Sequence, residues 1–382
     1  MRILHVTPHL PPDQAANALL PWQLGRWTVE GGDEVEYVAH PPRAGGLAPL
    51  AGPVAWVPRT SGGPLARATK MASLMAARRA RTRLAPALAR ADVVHVHSNG
   101  LLAELGVLEA RRVGKPVVLT LYGTEIWHYE PRKYVDLFTK AYRAASYVTF
   151  YSERLMVRAQ ELGLARRTAR TIYPAVSDAF TFHDEHAQAS ARASLGITSA
   201  HMLLNVKRLH PLAGQRFVIE AMNEVIRVHP DTRLVICGTG PLLEELKGVA
   251  RSAGVERHVT FPGLIDNTAI ARYCAAADLF VLPSLLEALP TVAVEALACG
   301  TPVLSTDNPG GLELGDVFGL DVQVVPGEQP LALASVIGDF LTQKRRTLAA
   351  TREIIEREFR PAAVAAQYRA VYEEVRRVQE QV

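Results

Sequence analysis

The sequence predicts an α/β protein made of two doubly wound units, each a largely parallel sheet with helices on both faces. Three observations carry this. Short apolar runs alternate with longer helical patterns from end to end, the order that parallel sheets require. The rhythm breaks once, at TIYPAVSDAF and the irregular stretch 180–199, and then restarts. The 382 residues are also more than one ordinary core organises. The parse is a first domain over 1–175 and a second over 176–360, with a late helix over 361–382 docking back on the first.

The elements follow in order. MRILHVT is the first strand, Leu19–Glu30 a helix and EVEYVAH a strand. DVVHVHS, a helix over Leu101–Arg112, KPVVLTLYG and SYVTFYS complete the first series. The second runs through HMLLNVKRL, a helix over Phe217–His229, RLVICGTG, HVTFPG, DLFVLPS and TPVLST. Tyr368, Val371, Tyr372 and Val375 form the apolar face of the late helix.

Composition narrows the class. A hydrophobic share of 48% and a charged share of 21% are those of a soluble globular chain. No apolar run reaches the ~20 residues of a membrane span, and the N-terminus lacks the apolar core and cleavage site of a signal peptide. Cys237, Cys274 and Cys299 suit reduced, buried thiols in a cytoplasmic protein rather than a disulfide framework. The net charge of +4 is unevenly spread: no acid falls between Glu36 and Asp92, where nine Lys or Arg accumulate. The stretch 64–91 is therefore a basic helix with Leu65, Met71, Leu74 and Met75 among its charges. Such a helix either forms a solvated face or makes peripheral contact with an anionic membrane. No nucleic-acid module accompanies the charge, so no nucleic-acid partner is expected.

Parallel sheets bind ligands at the carboxyl ends of their strands, and DLFVLPSLLEALPTVAVEALACGTPVLST places a loop and a helix start there. Pro290 suits the first helical position and Gly300 the stop. The N–H groups of the first turn, around Thr291 to Ala293, then attract phosphate. Glu287 and Glu295 bracket that turn, eight positions apart and outside the hydrophobic pattern. Carboxylates beside a phosphate site suit sugar hydroxyls.

The frame P-S-x-x-E-x-x-P-x-x-x-x-E-A-x-A-C-G-T-P-V, spanning Pro283 to Val303, resembles the retaining GT-B glycosyltransferases of family 4. The likeness extends over nearly the whole chain. It implies two Rossmann-like domains facing an interdomain cleft. Glu287 would bind hydroxyls of the transferred sugar and Glu295 the ribose. Arg208 would neutralise the diphosphate, Gly238 and Gly240 would let the nucleotide approach the backbone, and Val259–Gly263, with Phe261, would edge the base. Leu289, Pro290 and Thr291 complete the donor set. Glu313 falls in the next ligand-edge loop. The donor, a nucleoside diphosphate sugar with UDP favoured, is a substrate, so no cofactor is expected.

Three positions depart from the family pattern. A Gly-Gly pair in the first loop is Ala15 and Ala16 here, and alanine resists positive φ. The His expected before Gly123 is Tyr122, which is not a general base near pH 7. The Lys expected five residues after Arg208 is Ala213, with Lys207, His210 or Arg216 as substitutes, although strand alternation aims Lys207 away from Arg208. On the acceptor side the candidates are Ala15, Ala16, His97, Tyr122 and Glu125, although a structural role is the plainer reading of His97. Glu125, Glu130 and Asp136 suit a cationic acceptor such as an aminocyclitol.

The resemblance implies front-face transfer with retention, the leaving diphosphate taking the acceptor proton. Glu287, Arg208 and Tyr122 would then serve the reaction by position and charge. No D-x-D occurs in the chain, so no metal requirement is expected. A paired-carboxylate hydrolase fits the placement of Glu295 poorly, and an NAD enzyme lacks G-x-G-x-x-G after the first strand. A lipid or cell-envelope acceptor, and a nucleotide-sugar binder without transfer, are the remaining alternatives.

Overall fold

The computed structural model describes residues 1–13, 16–43, 48–59, 70–131 and 136–381. They form two compact units: Met1–Pro174 with Ala362–Val382, and Ala175–Pro361.

Unit 1 holds a seven-stranded sheet. Its strands are β1 (Arg2–Thr7), β2 (Glu34–Ala39), β3 (Val54–Trp56), β4 (Val93–His97), β5 (Val117–Leu121), β6 (Tyr147–Phe150) and β7 (Ala169–Thr171). Their spatial order is 3-2-1-4-5-6-7 and every pairing is parallel. β4 and β5 are buried along their whole length, as strands covered on both faces must be. Strand β3 and strand β7 are missing from the sequence reading. Each is only three residues long at a sheet edge, too short to show a period.

The helix Pro361–Glu380 closes this unit. Its buried face is Val364, Tyr368, Val371, Tyr372 and Val375, the i, i+4, i+7, i+8, i+11 stripe of an amphipathic helix. The Tyr372 hydroxyl lies 2.7 Å from Nδ1 of His95 in β4.

Unit 2 holds a six-stranded sheet: β8 (His201–Val206), β9 (Thr232–Cys237), β10 (Val259–Gly263), β11 (Leu279–Leu282), β12 (Val303–Thr306) and β13 (Val322–Val325). The order is 10-9-8-11-12-13, again all parallel. The direction of strand addition reverses between β8 and β11, so a crevice opens beyond their carboxyl ends. The stretch 180–199, expected to be irregular, contains the helix Glu185–Ser194, capped by Asp184 through a 2.9 Å bond from Ala187 N–H. This helix buries no residue completely, so it has no hydrophobic stripe to betray it.

Candidate active site

The crevice of unit 2 gathers most of the expected donor residues. β8 delivers Lys207 and Arg208, β11 delivers the loop to Leu289, and the helix Thr291–Ala298 begins beside them. Pro290 is the cap rather than the first helical residue, and its side chain supplies no acceptor to the first turn. Ala293 N–H turns back to Pro290 O at 3.0 Å. Gly300, at φ 91°, ends the segment in the left-handed conformation that glycine tolerates.

The loop carrying Glu287 is fixed on two sides. Leu285 N–H donates to Leu212 O at 2.8 Å, tying it to the turn Pro211–Ala213. On the other side Asn308 Nδ2 donates to Ser284 O at 2.9 Å, and Gly310 N–H to Glu287 O at 3.0 Å. These contacts demand small residues. A Cβ on Gly214 would lie 1.9 Å from Pro283 O, and one on Gly310 would lie 2.8 Å from Glu287 Cβ. The sequence reading placed no requirement for glycine at either position, because that requirement lies in contacts between segments distant in the chain.

Lys207 forms an ion pair with the Glu287 carboxylate across the crevice. Arg208 is exposed and makes no ion pair among the described residues. Its main-chain carbonyl is held by Gln215 Nε2 at 3.2 Å. Of the other stand-ins for Ala213, Arg216 pairs with Glu220 at 3.1 Å and His210 Nδ1 accepts from Leu212 N–H at 3.3 Å. Glu295 is part-buried, and burial alone pushes its carboxyl up to about 7. Gly238 and Gly240 carry a structural demand of their own: a Cβ on either would lie 2.1 Å from the carbonyl of Lys207 or Leu209. They let the ends of β8 and β9 meet. Phe261 packs part-buried against the core of this unit, and Leu289 is buried. Glu313 lies buried within the helix Pro309–Phe318, not in a ligand-edge loop as expected.

In unit 1 the expected acceptor residues divide. His97 is fully buried, which corrects its assignment to the ligand edge. Its Nε2 lies 2.9 Å from His5 Nδ1 and its Nδ1 lies 2.8 Å from the Tyr122 hydroxyl. The Tyr122 hydroxyl is therefore turned into the sheet rather than toward a substrate. His95 packs on this cluster, its ring 4.0 Å from that of His97 between centroids, and its own nitrogens lie 2.6 and 2.7 Å from the Thr120 and Tyr372 hydroxyls. The nitrogens of His5, His95 and His97 could hold a metal ion by proximity. Five of the six are already bonded, Nε2 of His5 being the exception. Burial lowers the pKa of all three rings, that of His5 to about 3, so they are neutral. This is a polar ladder in the sheet interior.

Glu125 is buried but stands at the end of β5. It accepts from Ser98 Oγ at 2.5 Å and from Gly123 N–H at 2.8 Å. It also lines a cavity of about 690 Å³ with Glu104, Glu130, Asp136, His128 and Phe138. Ser98, unread in the sequence, adopts φ 65° to reach Glu125. Ala16 begins the first helix, and Ala15 lies outside the described residues. So does 64–69 of the basic stretch, whose described part is the helix Lys70–Arg90.

Two family models divide the chain between them: "Glycosyltransferase Family 4" over residues 22–180 and "Glycosyl transferases group 1" over 188–356. The chain belongs to the GT-B glycosyltransferases of family 4. Its sequence is 31% identical over 256 residues to a GDP-mannose-dependent α-(1-6)-phosphatidylinositol monomannoside mannosyltransferase of Mycolicibacterium smegmatis, covering 65% of this chain and 66% of that protein. It is 30% identical over 236 residues to a 2-deoxystreptamine glucosyltransferase of Streptomyces kanamyceticus, covering 58% of this chain and 61% of the relative. The chain thus spans somewhat under two thirds of the length of these curated relatives. Among solved structures it shares its fold with Anabaena HepE in complex with UDP and glucose: TM-score 0.72, 19% identity, 98% of this chain and 100% of that one.

Proposed function

We propose that this glycosyltransferase moves a sugar, with retention of configuration and without a metal, from a nucleoside diphosphate sugar to a hydroxyl of a small cationic acceptor. The observation that carries this is the contact of Lys207 with Glu287 beyond the carboxyl ends of β8 and β11, with Arg208 next to Lys207 in the chain and the uncapped helix that bears Glu295 starting at Thr291. Cations and helix N–H groups suit a diphosphate. Glu295, whose carboxyl no described residue bonds, suits ribose hydroxyls. The proton leaves with the diphosphate, so no enzymic base is required, and Glu287 orients the sugar. UDP is favoured because fold-sharing HepE binds it, although the mycobacterial relative takes GDP-mannose.

The acidic cavity of unit 1 supports a cationic acceptor, and two relatives act on 2-deoxystreptamine. A lipid acceptor is the second reading. Leu74 and Met75 are 63% and 50% exposed on the basic helix Lys70–Arg90, and one relative acts on a phosphatidylinositol mannoside. Salt-sensitive sedimentation with anionic vesicles would favour that reading.

The test is thermal shift with UDP-, GDP-, ADP- and dTDP-sugars, followed by diphosphate release with aminocyclitols in EDTA. Stabilisation by a UDP-sugar, release that depends on an aminocyclitol, and an α product from an α donor are expected. No shift with any nucleotide sugar would overturn the donor site, and binding without release under every acceptor would overturn transfer.

A further inference from the structure

We infer that Lys207 supplies the second cation for the donor diphosphate and that Glu287 holds it while the crevice is empty. This rests on the donor site proposed above and names a residue within it. Arg208 alone leaves a nucleoside diphosphate undercompensated. The turn that bears Ala213 provides no charge: Ala213 is buried, and Gly214 beside it abuts the Pro283 carbonyl. Arg216 is paired on its own helix, and His210 caps its own turn.

Lys207 remains. It immediately precedes Arg208 at the end of β8, and its ammonium sits on Glu287, the carboxylate facing it from the end of β11. The lysine side chain is 28% exposed and the glutamate 13%, so the pair lies open to an entering ligand instead of being sealed in the core. The pairing serves two ends. It cancels a negative charge that would repel the diphosphate, and it keeps a flexible ammonium at the crevice. When the diphosphate arrives, the ammonium swings to it and Glu287 is released for the hydroxyls of the sugar. Phosphate binding and sugar binding are thereby linked through one side chain.

The experiment is calorimetric titration of the full chain with UDP and with uridine, for wild type, Lys207→Met, Lys207→Arg, Glu287→Gln and the double variant Lys207→Met/Glu287→Gln. Lys207→Met is expected to weaken UDP 10-fold or more, to leave uridine unchanged, and to be largely restored by Lys207→Arg. The same loss is expected when Lys207→Met is added to Glu287→Gln, because the lysine acts on phosphate and not only on the glutamate. Unchanged UDP affinity in Lys207→Met would overturn the inference. So would equal losses for UDP and uridine, or no further loss in the double variant. If wild type binds neither UDP nor any other nucleoside diphosphate, the donor site itself fails, an outcome separate from these.

Discussion

Glu295, proposed above to bind the ribose, is a carboxyl whose burial costs the empty protein stability. Burial raises its carboxyl from 4.5 to about 7. Between those values the folded chain keeps a proton that the unfolded chain has released. Stability therefore falls as pH rises from 4.5 to 7 and levels off above. Glu295→Gln removes this penalty. At pH 8 the ligand-free variant should be more stable than wild type by about 3 kcal/mol, yet should lose most of its nucleotide affinity. Urea denaturation with and without UDP measures both. A variant destabilised at pH 8 would show that Glu295 is held by the fold rather than kept for a ligand.

At the level of elements, the crevice is shaped by glycines that bring loops together. Gly310 opens the helix Pro309–Phe318, where alanine would otherwise favour helix. Its Cβ would press on Glu287 and Pro290, at 2.8 and 3.0 Å. Gly310→Ala should therefore displace the Glu287 loop and cut kcat/KM by about 10-fold or more, with little change in melting temperature. Steady-state kinetics beside calorimetry checks this, and unaltered kcat/KM would mean the loop adjusts freely. The same contacts explain what could be read in the chain. Continuous apolar runs revealed β4, β5, β8 and β11, and the E-x(7)-E frame revealed Glu287 and Glu295, because those signals are local. The roles of Gly214 and Gly310, the pairing of Lys207 with Glu287, and the inward turn of Tyr122 onto His97 depend on partners many residues away. Strand alternation aimed Lys207 away from Arg208, but it could not say what Lys207 would meet.

For the molecule as a whole, the most strongly shifted groups that titrate near neutral pH respond to acid in opposite directions in the two units, although His201 of unit 2, lowered by burial, sides with the histidines of unit 1. In unit 1, burial holds His5, His95 and His97 below the ordinary 6.5. The unfolded chain takes up protons there that the folded unit refuses, so stability is lost as pH falls below about 6.5. The ion-paired carboxyls of Asp13 and Glu109, lowered by their partners, add to the loss in stronger acid. In unit 2, Glu295 gains stability over much of the same range. Calorimetry from pH 8 to pH 5 should show one transition moving down while the other holds or rises, and Glu295→Gln should flatten the second. Two transitions descending together would refute the division of titrating groups proposed here.

The returning helix Pro361–Glu380 has a temporal consequence. Unit 1 begins the chain, but its sheet interior is completed by Tyr368 and Tyr372, which the ribosome makes only after all of unit 2. Unit 2 is contiguous over Ala175–Pro361, so it can close while unit 1 still waits. The half that is translated first is the half that matures last. Until the helix emerges, β4 and its histidines stay uncovered, and a stalled or clipped nascent chain would present to chaperones unit 1 rather than unit 2.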